Sequence, residues 1–468
     1  MSDIAMNTVI DNALKNAKFM PFWLDNPSAP DAEPAFEGVA QADLVIIGGG
    51  FTGLWAAIVA KEEDPSKAVI VLEAGKVAFG ASGRPGGIIS TSIMHGLANE
   101  ARVFPEDIEA LEQLGQKNLD DFKAALERYG IDADIEWNGE MTVAVDDGHL
   151  SELKEEYDLH ERYGHNVQWL DKTGVQAQLK SPMFQGAMWS QNRSGIVHPA
   201  KLAWGLKAAA LKLGVKIFEN SKMTDLSENG DRMTVMTQNG RVDAAKVFLA
   251  TNAWHAGQSD IKRRIIAVRD HVMATEPLTD EQMKRIGWDN RQGIYDTRTQ
   301  LNYMRLTADN RIIFGGSVTY HFGGNFNPAE DGQVETYHRL AAAFFKTFPQ
   351  LHDVKISHLW GGPIDYSMRF SVFFRKYFSG KAVYAGGYTG FGVAGSRYGA
   401  VTGLGLLSGA DLPELKLDIA QKPSGYIPPE PFRWIGAKIT FAALAGVDEK
   451  GGWRKLWLGF VKRLGFPF

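Results

Sequence analysis

The segment Asp43-Leu-Val-Ile-Ile-Gly-Gly-Gly-Phe-Thr-Gly-Leu-Trp-Ala-Ala57, followed by Val69-Ile-Val-Leu-Glu-Ala74, constrains this chain more than any other feature. The apolar run Leu44 to Ile47 reads as a buried strand and passes directly into Gly48, Gly50 and Gly53, in the G-x-G-x-x-G spacing, with a helix behind them. The first of these glycines makes the tight turn, the second admits a pyrophosphate to the backbone, and the third lets helix and strand pack closely. The phosphates then meet the helix N-terminus. A second apolar strand, Val69 to Leu72, delivers Glu73, whose carboxylate sits where it can accept hydrogen bonds from adenosine ribose hydroxyls and repel a 2'-phosphate. Gly48, Gly50, Phe51, Thr52, Gly53, Glu73 and Ala74 thus read as a dinucleotide cradle. The pattern alone leaves FAD and a nicotinamide dinucleotide both open.

The chain has 468 residues, long enough for two large domains with separate cores. Its net charge of -5 gives no general attraction to nucleic acid, so no nucleic-acid partner is expected. No uninterrupted apolar stretch reaches membrane-spanning length, and Met1 to Lys18 carries Asp3, Asp11, Lys15 and Lys18 without a signal-like apolar region. A cytoplasmic protein is the expectation. With no cysteine, the chain has no disulfide, thiolate ligand or thiol nucleophile, and no thioether to a flavin can form. Its eleven histidines show no metal-ligand spacing, so no metal is expected.

Further along, Phe79-Gly-Ala-Ser-Gly-Arg-Pro-Gly-Gly-Ile88 is rich in small residues, so its backbone can lie flush against a ligand. Ala98 to Tyr129 has a helical period, Trp137 to Val145 alternates like a strand, and His149 to Tyr163 reads as a charged helix. Ser194-Gly-Ile-Val-His-Pro-Ala200 leads into a helix over Lys201 to Leu213. Strands are read at Val215–Phe218, Met233–Thr237 and Lys246–Ala250, with a hairpin turn at Asn239-Gly240. Between Pro277 and Leu359, strands at Leu301–Arg305 and Arg311–Gly315 and around Thr319–Phe322 are interrupted by a helix over Gly332 to Phe348. Lys381 to Gly395 repeats the opening logic of strand, glycine-rich turn and helix, which aims a second helix N-terminus at a ligand.

Asp43 to Ala57, Glu73-Ala74, Gly80 to Gly87, His198-Pro199, Ala250 to Trp254, Trp360-Gly-Gly362 and Gly386-Gly-Tyr-Thr-Gly-Phe-Gly392 occur in the order of the FAD-dependent D-amino-acid oxidase superfamily. The chain resembles in particular its gamma-glutamylputrescine oxidase and glycine/sarcosine oxidase branch, from about Phe22 to Gly409. The resemblance implies FAD; with no cysteine in the chain, a flavin is either non-covalent or attached through another residue type, and the non-covalent state is the simpler expectation. It places Gly80, Ala81, Ser82, Gly83, Arg84, Gly86 and Gly87 along pyrophosphate, ribityl and flavin edge, Met223, Ala250 and Thr251 near the adenine nucleotide, and Gly387, Tyr388, Gly390, Phe391 and Gly392 at the flavin pyrimidine.

It further implies oxidation of a carbon–nitrogen bond in a small amine or amino acid, by hydride transfer from a neutral amine, imine hydrolysis and reoxidation by O2 to H2O2. A carboxylated secondary amine such as an N-substituted glycine or iminodiacetate is the expected substrate, with a polyamine derivative close behind. Alternatives are an amine dehydrogenase delivering electrons to a quinone or carrier protein, and a tRNA-modifying flavoprotein. Such chemistry needs orientation more than a strong base, so no single catalytic base is assigned. The family's usual cations are replaced: Pro363-Ile-Asp365 stands in the region of the glycine oxidase arginine, Ala394 and Ile313-Phe314 near the sarcosine oxidase lysines, and Arg84-Pro85 at an arginine-asparagine pair. Substitute substrate-binding candidates are Arg305, Arg369 and Arg397, with Tyr303, His271 and His321 beside them.

The expected fold is α/β. A Rossmann-like FAD-binding domain takes residues 1–93, 194–256 and 380–420, and a substrate domain with a mixed, largely antiparallel sheet and helices takes 94–193 and 257–379. Residues 421–468 form an amphipathic tail, basic and aromatic from Gly452 to Phe468, that suits either packing on the protein body or weak contact with a membrane surface.

Overall fold

An apolar run without alternation favours a strand covered on both faces, and Gly38–Ile47 ends in one: Leu44, Val45, Ile46 and Ile47 are all buried. In the computed structural model, which describes residues 3–324 and 333–466, this strand lies inside an eight-stranded sheet. Val69–Leu72 pairs parallel on one side, with Lys216–Phe218 beyond it. Gly240–Leu249 pairs parallel on the other, with Ala382–Gly386 beyond. The hairpin read at Asn239-Gly240 joins Arg232–Thr237 to Gly240–Leu249. Helices Phe51–Glu63 and Gly392–Ser408 pack on each other and on this sheet, and Pro199–Lys212 packs on the first of them. This is the expected Rossmann-like half.

The other half is a nine-stranded sheet whose two longest strands, Ile265–Thr275 and Ile356–Ser367, are neighbours towards one edge. It is mixed and largely antiparallel, as read. The parallel joints lie between Lys18–Phe19 and Ile356–Ser367 and between Gly293–Asp296 and Glu140–Ala144. Helix Val334–Thr347 buries Tyr337, Leu340, Phe344 and Phe345 against it.

Several details differ from the sequence reading. Residues near the N-terminus, assigned with the dinucleotide half, supply a strand to the other sheet, and helix Asp3–Leu14 packs on Val334–Thr347. Phe373–Tyr377, assigned to the substrate half, pairs with Ala382–Gly386 in the dinucleotide sheet. Ile265–Thr275 carries Arg269, Asp270 and His271 at its middle, and these three buried polar residues interrupt the apolar pattern that would announce a central strand. The helix over Ala98 to Tyr129 is two, Leu97–Val103 and Ile108–Tyr129, with Pro105 between them. Gly332, the expected first residue of the later helix, falls outside the described residues, as do Pro467 and Phe468 of the tail.

A buried ion pair ties the dinucleotide half to the chain that precedes it. Lys207 Nζ donates to Glu219 Oε2 at 2.8 Å, the two side chains being 3% and 2% exposed. Glu219 also accepts the backbone amides of Glu33 and Val77, and Lys207 donates to the Asp31 carbonyl. Removing one partner of such a pair leaves a buried charge without compensation. Lys207→Met is therefore expected to lower the unfolding free energy by about 3–5 kcal/mol, read as a shift in the urea-unfolding midpoint; a negligible shift would mean that the pair adds nothing to stability.

Candidate active site

Both glycine-rich turns open onto one cavity of about 1600 Å³. That exceeds the usual range of about 300–1,000 Å³ for a small-ligand pocket, so a dinucleotide and a second molecule fit together. The first turn is shaped by backbone contact. Gly48 has φ +110°, and a Cβ there would come within 2.5 Å of the Ala250 carbonyl oxygen. At Gly53 a Cβ would lie 1.9 Å from the Gly48 carbonyl oxygen, which is why the helix can start so close to the strand. Gly48, Gly50, Phe51, Thr52, Glu73 and Ala74 line the cavity, whereas Gly53 serves the packing behind it.

Glu73 Oε2 accepts the Gly49 amide at 2.6 Å and Oε1 the Gly75 amide at 2.8 Å. Burial pushes its pKa up, and those amides oppose the shift. The Phe51 amide, in the first turn of the helix, donates to Ser82 Oγ at 2.9 Å, so the second loop is fastened to the first. In that loop Gly80, Ala81, Ser82, Arg84, Gly86 and Gly87 line the cavity. Gly83 faces the Ala78 carbonyl instead, 2.1 Å from where its Cβ would be. Arg84 donates to the Phe79 and Gly361 carbonyls, and the carbonyls of Arg84 and Pro85 accept the indole N–H groups of Trp360 and Trp23. Two buried tryptophans thus hold the loop in place of the family's usual asparagine.

Met223, Ala250 and Thr251 line the same cavity. The Thr251 hydroxyl is buried without a hydrogen-bond partner among the described residues. A buried polar atom in a cavity wall fits a ligand that hydrogen-bonds there. At the late turn, Tyr388, Gly390, Phe391 and Gly392 line the cavity, and Thr52 Oγ1 donates to the Tyr388 hydroxyl at 2.8 Å, joining the two ends of the chain. Gly387, at φ +89°, lies behind them and donates its amide to Asp365 Oδ2. The cradle geometry and the orphaned Thr251 hydroxyl therefore suit an adenine dinucleotide spread across three separated segments.

The substrate candidates fare differently. Tyr303 lines the cavity and donates its hydroxyl to Asp270 Oδ2. Arg305, Arg369, Arg397, His271 and His321 are not among the lining residues. The Arg305 guanidinium turns inward onto the Val197 and Leu306 carbonyls, where burial lowers its pKa to about 9. Arg369 donates to the carbonyls of Val372, Ile419 and Lys422, and Arg397 pairs with Asp121 at 3.2 Å. His271 is fully buried, with Nδ1 2.7 Å from the Ser317 carbonyl. These arginines donate to backbone carbonyls or pair with a surface carboxylate, away from the cavity lining.

Residues that the sequence reading passed over take their places. Asp270 and Asp365 line the cavity, and burial pushes each up to about 7. The His95 ring lies 4.1 Å from the Phe391 ring and is bonded to the Thr389 carbonyl, and burial pushes it down to about 4, so it is neutral at neutral pH. From the tail, Arg433, Phe441, Leu444 and Lys462 join the wall. The tail does pack on the body: Ala437 is buried with Val268 and Tyr320, and the Tyr320 hydroxyl donates to Glu430.

Residues 43–402 match the family model described as "DAO: FAD dependent oxidoreductase". The chain belongs to this family. It is 33% identical over 385 residues to the probable oxidoreductase OrdL of Haemophilus influenzae, covering 80% of this chain and 84% of that one. The gamma-glutamylputrescine oxidoreductase of Escherichia coli is 31% identical over 327 residues, covering 68% and 73%. Among solved structures, glycine oxidase from Geobacillus kaustophilus superposes with a TM-score of 0.69 at 18% identity, covering 83% of this chain and all of that one. The protein is thus an FAD-dependent oxidoreductase of DAO fold. Among the described residues no helix is long and apolar enough to cross a membrane, and no cluster of side chains could hold a metal ion.

Gly48→Ala is expected to abolish flavin retention, because the positive φ and the Ala250 carbonyl leave no room for a methyl group. Purified variant protein lacking visible flavin absorbance, yet still folded by circular dichroism, is the predicted outcome. Full flavin content would contradict it.

Proposed function

We propose that this protein oxidises a carbon–nitrogen bond of a small, carboxylated amine or amino acid, with non-covalently bound FAD. The observation that carries this reading is the continuity of the cavity, from Glu73 and Met223 at one end to Tyr303, Asp270 and Tyr366 at the other. Bound FAD supplies a two-electron acceptor for the hydride leaving the carbon next to nitrogen. The chain's own contribution is placement. Tyr295, Tyr303 and Tyr366 wall the chamber with aromatic surface that excludes water. The helix Gly392–Ser408 directs its N-terminus at the same space, favouring negative charge there. With no cysteine in the chain, a thioether to the flavin has no donor.

The substrate carboxylate has a partner in the tail. Arg433 is 8% exposed, is steadied by the Pro428 carbonyl at 3.0 Å, and lines the cavity together with Lys462. It takes over the role first assigned to Arg305, Arg369 and Arg397. The Escherichia coli relative is named for a carboxylate-bearing amine, gamma-glutamylputrescine, in keeping with this class.

An anaerobic screen of primary, N-methyl and N-carboxymethyl amines tests the reaction class. Bleaching of the flavin by at least one amine is expected, and bleaching by hydroxy acids alone would refute it. Arg433→Gln should raise KM for a carboxylated amine by about tenfold, the loss of one charge-assisted hydrogen bond, with little change for a plain alkylamine. A uniform loss across both would assign Arg433 to the fold only.

Oxygen is the proposed acceptor, giving H2O2. A second reading, electron delivery to a membrane quinone, is favoured by one observation: helix Trp453–Arg463 leaves Trp453, Leu456 and Phe460 exposed beside Lys455, Lys462 and Arg463. Such a face suits the interface of an anionic bilayer. Co-flotation with phosphatidylglycerol vesicles and absence of peroxide would support the quinone; stoichiometric peroxide and no flotation would support oxygen.

A further inference from the structure

The chamber wall holds a carboxyl group with no counter-charge among the described residues. Asp270 is 8% exposed, and it lines the cavity from the middle of Ile265–Thr275. Its Oδ2 accepts the Tyr303 hydroxyl, while Oδ1 is buried and has no hydrogen-bond partner among the described residues. A buried carboxylate in that state is costly; a proton or a cationic ligand relieves it, and a cavity wall admits the ligand.

We propose that Asp270 receives the ammonium group of the substrate and takes one of its protons, with Tyr303 as the residue that fixes the carboxyl group's orientation. The proposal rests on the amine-oxidation reading above and deepens it, since it makes the substrate an amine that arrives charged. In the step itself one N–H bond of the ammonium breaks, an O–H bond forms on the Asp270 carboxylate, and the nitrogen keeps its electron pair. The neutral amine so produced is the form that can lose hydride, and the proton remains on Asp270 until product leaves. No further oxidant or reductant enters this step.

The surroundings suit that exchange. Burial pushes Asp270 up to about 7, opposed by the Tyr303 hydroxyl and the amides of His271 and Gly316. The titratable groups around it are Tyr303, Tyr366 and Tyr295 from neighbouring strands, Asp365 on the adjacent strand, and Arg269 and His271 along its own. The tyrosines are held neutral by burial, and His271 is pushed down to about 4. Asp270 and Asp365 are both matched to exchange a proton near neutrality, and Asp365 is the one already engaged by the Gly387 amide of the late turn.

The test uses the FAD-loaded protein and tert-butylamine, which carries no hydrogen on the carbon next to nitrogen and so binds without being oxidised; tert-butanol is its neutral counterpart. Binding is read from the flavin absorption spectrum. Asp270→Asn should weaken tert-butylamine by about tenfold or more and leave tert-butanol unchanged, whereas Tyr303→Phe, which keeps the carboxyl group, should still bind the amine. Absence of tert-butylamine binding to the natural protein, or equal binding by a flavin-loaded Asp270→Asn variant, overturns the proposal. Thermal unfolding gives an independent readout. The raised folded-state pKa means that the Asp270 contribution is fully present below the ordinary value of 3.8 and is lost as pH rises through about 7. The melting temperature of Asp270→Asn relative to the natural protein should therefore climb across that window and level off above it; a constant difference also overturns the proposal. If tert-butylamine binds as expected while no oxidisable amine bleaches the flavin, the ammonium site stands and the oxidation reading falls.

Discussion

Backbone meeting backbone at the end of the strand Gly38–Ile47 is the contact on which the rest of the molecule depends. The Ala250 carbonyl closes on Gly48 from one side and the helix at Gly53 closes on the Gly48 carbonyl from the other, at separations that exclude any side chain. Three segments far apart in the chain, near residues 48, 250 and 388, can then share one cavity, with Thr52 and Tyr388 bonded across the join. Packing this close is a steric requirement more than an energetic one, and it explains why glycine and alanine crowd those loops. Everything the site does chemically presupposes that three-way approach.

The cradle was legible in the sequence for this reason. A demand that only glycine can meet leaves a mark at fixed spacing, and Gly48, Gly50, Glu73 and Gly390 fall where that mark put them. The substrate end left no comparable mark. An arginine in an apolar strand looks the same in a sequence whether it reaches a ligand or, like Arg305, bends back onto carbonyls beneath Trp23. Its guanidinium has five donors and will satisfy them with whatever acceptors the fold brings near. Asp270 was hidden for the opposite reason. Flanked by Arg269 and His271, it resembles a polar turn rather than the centre of an eleven-residue strand.

Two buried carboxyl groups show how alike residues diverge by surroundings. Asp365 accepts the Gly387 amide and so braces the late turn; Asp270 accepts the Tyr303 hydroxyl from across the sheet. Both are pushed toward neutrality by burial, yet one is bound to the backbone that shapes the cofactor end and the other stands in the chamber wall. The two sit on adjacent strands of one sheet and meet different partners.

The tail draws a line through the molecule that the family's shared sequence does not cross. The family match ends at residue 402, but Arg433, Phe441, Leu444 and Lys462 complete the cavity wall. The cavity wall is thus built partly from residues within the family match, Asp270, Tyr303 and Tyr366 among them, and partly from residues that follow it. A match of that extent reports on the first set, and the second is visible only once the chain is folded.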